Sequence, residues 1–214
     1  MNPCAKQFGK GLGGVIRVCC RTASHEGRCT DVPFLVHLER VKPRVAEKIV
    51  RDSFNTRGAS WGKTVEGTQA RRNRQPRWTL KNGDGFYPAH HQTYEGCLKI
   101  AADLTVQAYE MTGAPLCPGE AAQWLPRRPV PNSGKCPICG LPLEFSEFDL
   151  AVQSKAAIDT DHLNPSLERR HVSGNVAFVH HECNTTKGDR SVEEFETWMA
   201  DTLRRHGYQV TKSA

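Results

Sequence analysis

The chain has 214 residues, 38% hydrophobic and 24% charged, which excludes wholesale disorder and leaves room for one sizeable domain or two small ones. No apolar run approaches the roughly 20 residues that span a bilayer, and the opening MNPCAKQFGKGLGG lacks the apolar core of a secretory signal. The expectation is a cytoplasmic protein with no membrane partner. The net charge of +6 is unevenly divided: residues 1–130 carry 20 Lys and Arg against 11 Asp and Glu, a net +9, while residues 131–214 carry 9 against 12, a net −3. A polyanionic partner for the first part follows from that asymmetry.

In chain order, Cys4, Cys19, Cys20, His25 and Cys29 come first, all within 26 residues. Four of them, such as Cys4, Cys20, His25 and Cys29, suffice for a zinc site, although incidental or buried cysteines remain the simpler account. From Val36 to Phe54, the positions Val41, Val45, Ile49 and Phe54 recur at helical spacing, with Pro43 acceptable only near a helix start. The stretch 57–86 is rich in Gly, Arg and polar residues and reads as loops with short strands. Within it, Arg71, Arg72, Arg74 and Arg77 precede Trp78, a pattern suited to following a phosphate backbone or entering a groove. Tyr94 to Met111 is predicted helical, with Leu98, Ala101, Leu104, Ala108 and Met111 on one face and Gly113 as terminator. A short helix is expected over Gly119 to Leu125, and Cys97 and Cys117 read as packing residues on helices.

The Pro-rich LPRRPVPNSGK, residues 125–135, reads as a boundary between a basic region, 1–130, and a C-terminal domain, 131–214. Beyond it come a tight KCPICG turn, a short strand at 157–160, a second at 175–180 and a helix opened by a Ser191-x-x-Glu194 capping box and closed by Gly207. That last helix carries Phe195, Trp198, Met199 and Leu203 on one face.

Nine cysteines in an intracellular chain point to metal ligands before disulfides. Cys136 and Cys139 form one pair with a two-residue gap, and His180 and Cys183 form another about forty residues on. Four such ligands make a closed Cys₃His zinc site, and the gap favours His180 over His181. Between the pairs lies DTDHLNP, where Asp161 offers a carboxylate for a hard cation and the adjacent His162 an imidazole able to take a proton near neutral pH.

Taken together, Cys136-x-x-Cys139, Asp161-His162, Asn175 and His180-x-x-Cys183-Asn184-x-x-Lys187 resemble the HNH nuclease family over about a quarter of the chain. The resemblance implies an α+β architecture: a ββα-metal module with structural zinc, preceded by a mixed, largely helical and loop-rich basic region. It implies that His162 is the general base, that Asn175 orients its loop, and that Asp161 with Asn184 holds a catalytic Mg²⁺ or Mn²⁺. Asn184 stands where the family usually has a third histidine, and His-x-x-Cys replaces its second Cys pair. Lys187, Arg190, Arg169 and Arg170 become candidate phosphate contacts, His181 is either an auxiliary group or a surface residue, and His171 reads as an exposed loop histidine. The function implied is metal-dependent hydrolysis of double-stranded DNA to 5′-phosphate and 3′-hydroxyl ends. The 130 residues outside the module are enough to read a short site, which favours site-specific cleavage as in restriction enzymes, and a homodimer is a candidate assembly. A phage or mobile-element nuclease and a non-catalytic zinc-binding nucleic-acid module are the alternatives. Retention of all four of Asp161, His162, Asn175 and Asn184 argues against the last.

Overall fold

The structure, a computed structural model, describes residues 32–56, 76–83, 87–152 and 155–211, together with short paired backbone segments upstream. Those segments are β1 (Gln7–Phe8) paired antiparallel with β2 (Arg17–Val18), and β3 (Gly62–Lys63) paired antiparallel with β4 (Gln69–Ala70). Cys4, Cys19, Cys20, His25, Cys29, Arg71, Arg72 and Arg74 lie outside the described residues.

The single helix expected over Val36–Phe54 is two helices, α1 (Val36–Val41) and α2 (Pro43–Phe54), meeting at Lys42. Proline cannot donate to the preceding turn, and its ring blocks helical continuation, so Pro43 restarts the chain at the first position of α2. The break shifts the helical phase, leaving Val41 45% exposed while Val45, Ala46, Ile49 and Phe54 are buried. That apolar face of α2 packs on α3 (Tyr94–Glu110). The Thr93 hydroxyl caps α3 by accepting from Gly96 N at 3.0 Å. Cys97, Ile100, Ala101, Leu104 and Ala108 are fully buried along it.

After α4 (Gly119–Ala122), the Pro-rich passage is tied back to the end of α3. Arg127 pairs with the Glu110 carboxylate, Val130 N donates to Glu110 Oε1 at 3.1 Å, and Gly134 N donates to the Glu110 carbonyl at 2.8 Å. One hydrophobic cluster runs from Val32 to Phe195 across both halves of the chain.

The C-terminal part begins with a narrow pair, β5 (Ala151–Val152) and β6 (Lys155–Ala156), and continues into an antiparallel hairpin. In that hairpin β7 (Ile158–His162) pairs with β8 (Val176–His180), from Ile158 opposite His180 to His162 opposite Val176. Helix α5 (His181–Lys187) follows β8 without a loop, and α6 (Val192–Arg205) follows the predicted Ser191/Glu194 capping box. The architecture is therefore mixed α+β and mostly helical, with a two-strand hairpin followed by a helix. Strand β8 lies against α3, where the Gln107 amide bonds both backbone groups of Phe178, donating to its carbonyl at 2.8 Å and accepting from its N–H at 2.7 Å. A side chain thus satisfies an edge that would otherwise seek another strand. Along the predicted apolar face of α6, Phe195 is buried, whereas Trp198 and Leu203 are each 43% exposed. The helix packs only its first turns on the core, and the Arg190 guanidinium covers Trp198 at 4.9 Å.

Candidate active site and metal centre

Helix α5 distributes consecutive residues to two different places, because neighbours on a helix point about 100° apart. Cys183 turns toward the CPIC turn and Asn184 toward the hairpin. In the CPIC turn, Gly140 N donates to the Cys136 carbonyl at 2.9 Å and Cys136 N to Leu141 O at 2.8 Å. Gly140 takes φ +72°, a conformation that L side chains rarely adopt. This loop brings Cys136 and Cys139 to His180 and Cys183, and the four ligand atoms lie within 4.8 Å of one another. His180 Nδ1 is 3.4 Å from Cys139 Sγ and 4.0 Å from Cys183 Sγ. Tetrahedral zinc, with bonds of about 2.3 Å to sulfur and 2.0 Å to nitrogen, fits such spacings. Burial and the neighbouring thiols of Cys139 and Cys136 push the Cys183 thiol well above its ordinary range, a crowding that a dication would relieve. The other ring nitrogen of His180 faces Glu147 Oε2 at 3.7 Å, a carboxylate placed to orient the ring.

The hairpin divides its side chains by strand alternation. On β7, Asp159 and Asp161 face α5, whereas Thr160 and His162 face α2. Asp159 Oδ2 accepts from Asn184 Nδ2 at 3.0 Å and from His181 Nδ1 at 2.7 Å. Asp161 Oδ2 is 3.1 Å from Lys187 Nζ. Thr160 Oγ1 donates to Asp52 Oδ2 at 2.9 Å, and His162 Nε2 lies 3.3 Å from His171 Nδ1. The loop after His162 is pinned by Asn175, whose Oδ1 accepts from Asn164 N at 2.8 Å while its Nδ2 donates to the Asn164 and Arg170 carbonyls at 3.0 and 2.8 Å.

These groups border a cavity of about 500 Å³, lined by Asp159 to His162, His171, His181 and Asn184, with Lys48, Arg51, Asp52 and Arg77 on the opposite wall. Carboxylate and amide oxygens on one wall form a donor set suited to a hard divalent cation. Burial works against ionisation of Asp52, but the hydrogen bond from Arg51, the charges of Lys48 and Arg51, and the bond from Thr160 outweigh it and hold the carboxyl below its ordinary value.

Three expectations are corrected. Lys187 is completely buried, and its ammonium donates to the carbonyls of His162, Gly188 and Arg190 at 3.3, 3.2 and 2.7 Å, so it is a structural cation rather than a phosphate contact. Arg77 is 4% exposed and donates to the carbonyls of Asp52 and His90, both at 3.3 Å, which removes it from a solvent-facing arginine loop. His171 is 1% exposed rather than an open loop residue. Sequence reasoning missed Asp159, Asp52 and the inward turn of His171. For Asp159 a signal existed, because a residue two before Asp161 on a strand shares its face.

Residues 88–183 match the family model described as DraIII, a span running from α3 through the CPIC turn and hairpin to Cys183. A solved structure described as a crystal structure of a type II restriction endonuclease is 28% identical, covers 97% of this chain and 99% of its own, and superposes with a TM-score of 0.67. The chain is thus similar to a type II restriction endonuclease over nearly its whole length, and to the DraIII family over its middle part, just under half of it. No curated protein sequence matches it. The structural likeness extends well beyond the hairpin to the helical half that forms the far wall of the cavity. Among its described residues, no helix is long and apolar enough to cross a membrane.

Proposed function

We propose that the protein is a restriction endonuclease that cuts double-stranded DNA by HNH chemistry, with His162 as general base. The observation that carries the reading is the convergence of Asp161, His162 and Asn184 on one cavity, beside a separate Cys₃His cluster. His162 takes a proton from the attacking water, which displaces the 3′ oxygen in line and leaves 5′-phosphate and 3′-hydroxyl ends. Asn175 holds the loop that follows the base. Asp161 and Asn184, joined by Asp159, would hold Mg²⁺ or Mn²⁺, which when bound supplies electrostatic stabilisation of the departing oxygen. Cys136, Cys139, His180 and Cys183 would hold zinc, fixing the start of α5 and with it the position of Asn184. Arg71, Arg72 and Arg74 remain the proposed DNA contacts of the basic region, and a homodimer would cut both strands of a recognised site.

The test is His162→Ala. Cleavage should fall by about 10²–10⁴-fold while DNA affinity, measured with Ca²⁺ in place of Mg²⁺, stays within twofold. Wild-type cleavage by this variant would refute the base assignment, and sequencing the product ends of the wild-type enzyme checks the polarity of the cut.

A further inference from the structure

Helix α2 ends at Phe54, so the carbonyl of Ser53 belongs to the last turn and has no partner within the helix. His171 Nε2 lies 2.8 Å from that carbonyl oxygen. A carbonyl can only accept, so the proton of the His171 ring is on Nε2. Burial above all, then the nearby Arg77 guanidinium, pushes the His171 pKa down to about 2, so the ring is neutral and its Nδ1 carries a lone pair. That Nδ1 is 3.3 Å from His162 Nε2, and a lone pair there requires His162 to donate Nε2–H. The His90 ring packs against His162 with centroids 5.4 Å apart, and the His171 ring does so at 5.5 Å.

We propose that His171 is a positioning residue: the chain from the Ser53 carbonyl through His171 to His162 locks the His162 tautomer so that its proton-accepting nitrogen is Nδ1. The proposal rests on the reading of His162 as the base and adds the device that aims it. It also gives the helical half of the molecule a part in cleavage, because the first acceptor in the chain is the end of α2. A tautomer fixed before DNA arrives means that no ring flip is needed to bring the accepting nitrogen to the water.

The experiment combines a ring-nitrogen spectrum with two variants of the full chain. In ¹⁵N-histidine-labelled free enzyme, two-bond ¹H–¹⁵N correlations should show both His171 and His162 as Nε2–H tautomers, with signals assigned through His171→Leu and His162→Ala. His171→Leu should leave DNA affinity unchanged, lower kcat by about 10²-fold, and remove the single-tautomer signature of His162. His171→Gln keeps a donor and an acceptor at one terminus and should recover most of the rate. An Nδ1–H tautomer at His171, or an unchanged kcat in His171→Leu, overturns the proposal. Should the leucine variant fail to fold, the wild-type spectrum still decides. Wild-type cleavage by His162→Ala overturns the base reading and the proposal together, whereas a wrong tautomer alongside an inactive His162→Ala overturns the proposal alone.

Discussion

The stretch from Ile158 to Lys187 and the helix α2 face each other across one cavity, yet they reach it in different ways. The hairpin and α5 deliver their groups from one continuous segment, where strand alternation and helical spacing fix every direction. Helix α2 meets the same cavity from more than a hundred residues upstream, with Asp52 bonded to Thr160 and Ser53 bonded to His171. The first kind of site can be transferred between folds as a motif. The second exists only where packing of α2 on α3, and of α3 on β8, sets the distance between the walls.

The largest expected effect separates the two by removing the soft-metal cluster. Stripping zinc with a chelator and restoring only Mg²⁺ should abolish cleavage and lower the melting temperature, since structural zinc supplies roughly 10 kcal/mol of folding energy in small zinc modules. Full cleavage by a sample shown to be zinc-free would break the link between Cys183 and Asn184.

Next comes Lys187, the buried cation of the hairpin side. Lys187→Met leaves the Asp161 carboxylate without its ammonium and should cost about 3–5 kcal/mol in denaturant unfolding. A stable variant with weakened DNA binding would return Lys187 to the phosphate-binding role.

Arginines of the basic region sharpen the contrast. Arg77→Ala should cost about 2 kcal/mol of stability through the carbonyls it leaves unpaired. Replacing Arg71, Arg72 and Arg74 together should spare stability and flatten the salt dependence of DNA binding, by about 0.9 in slope for each phosphate that is no longer neutralised. Equal salt slopes in wild type and triple variant would remove the loop from the DNA interface.

The smallest effect concerns the strap between the halves. Burial would raise the Glu110 carboxyl, but hydrogen bonds from Arg127, Val130 N–H and Ser133 prevail and hold it below its ordinary value. A depressed folded pKa stabilises fully above the unfolded value and is lost as pH falls through the folded one. Glu110→Gln should therefore lose about 1–2 kcal/mol at neutral pH and show a shallower acid limb in thermal melts. An acid limb as steep as that of the wild type would exclude Glu110 as its source.

Much of the hairpin side is legible in the sequence because its signals are local. The CPIC gap, the His180/Cys183 gap and the Ser191 capping box each depend on one turn of chain, and the structure brings the four soft ligands together. The division of Val36–Phe54 into two helices escapes a periodicity argument because Pro43 resets the phase. The shallow burial of α6 escapes it because amphipathicity does not say how much partner surface is present.

The sequence by itself determined which residues can bind a soft metal, which can accept a proton, and on which local elements they sit, because those properties follow from side-chain chemistry and backbone periodicity. Tertiary structure alone decided that Lys187, Arg77 and His171 are interior groups, and that the end of α2 reaches His162 through His171. Charge and polarity in a sequence do not reveal whether a residue meets water or a buried carbonyl. That depends on which elements close over it.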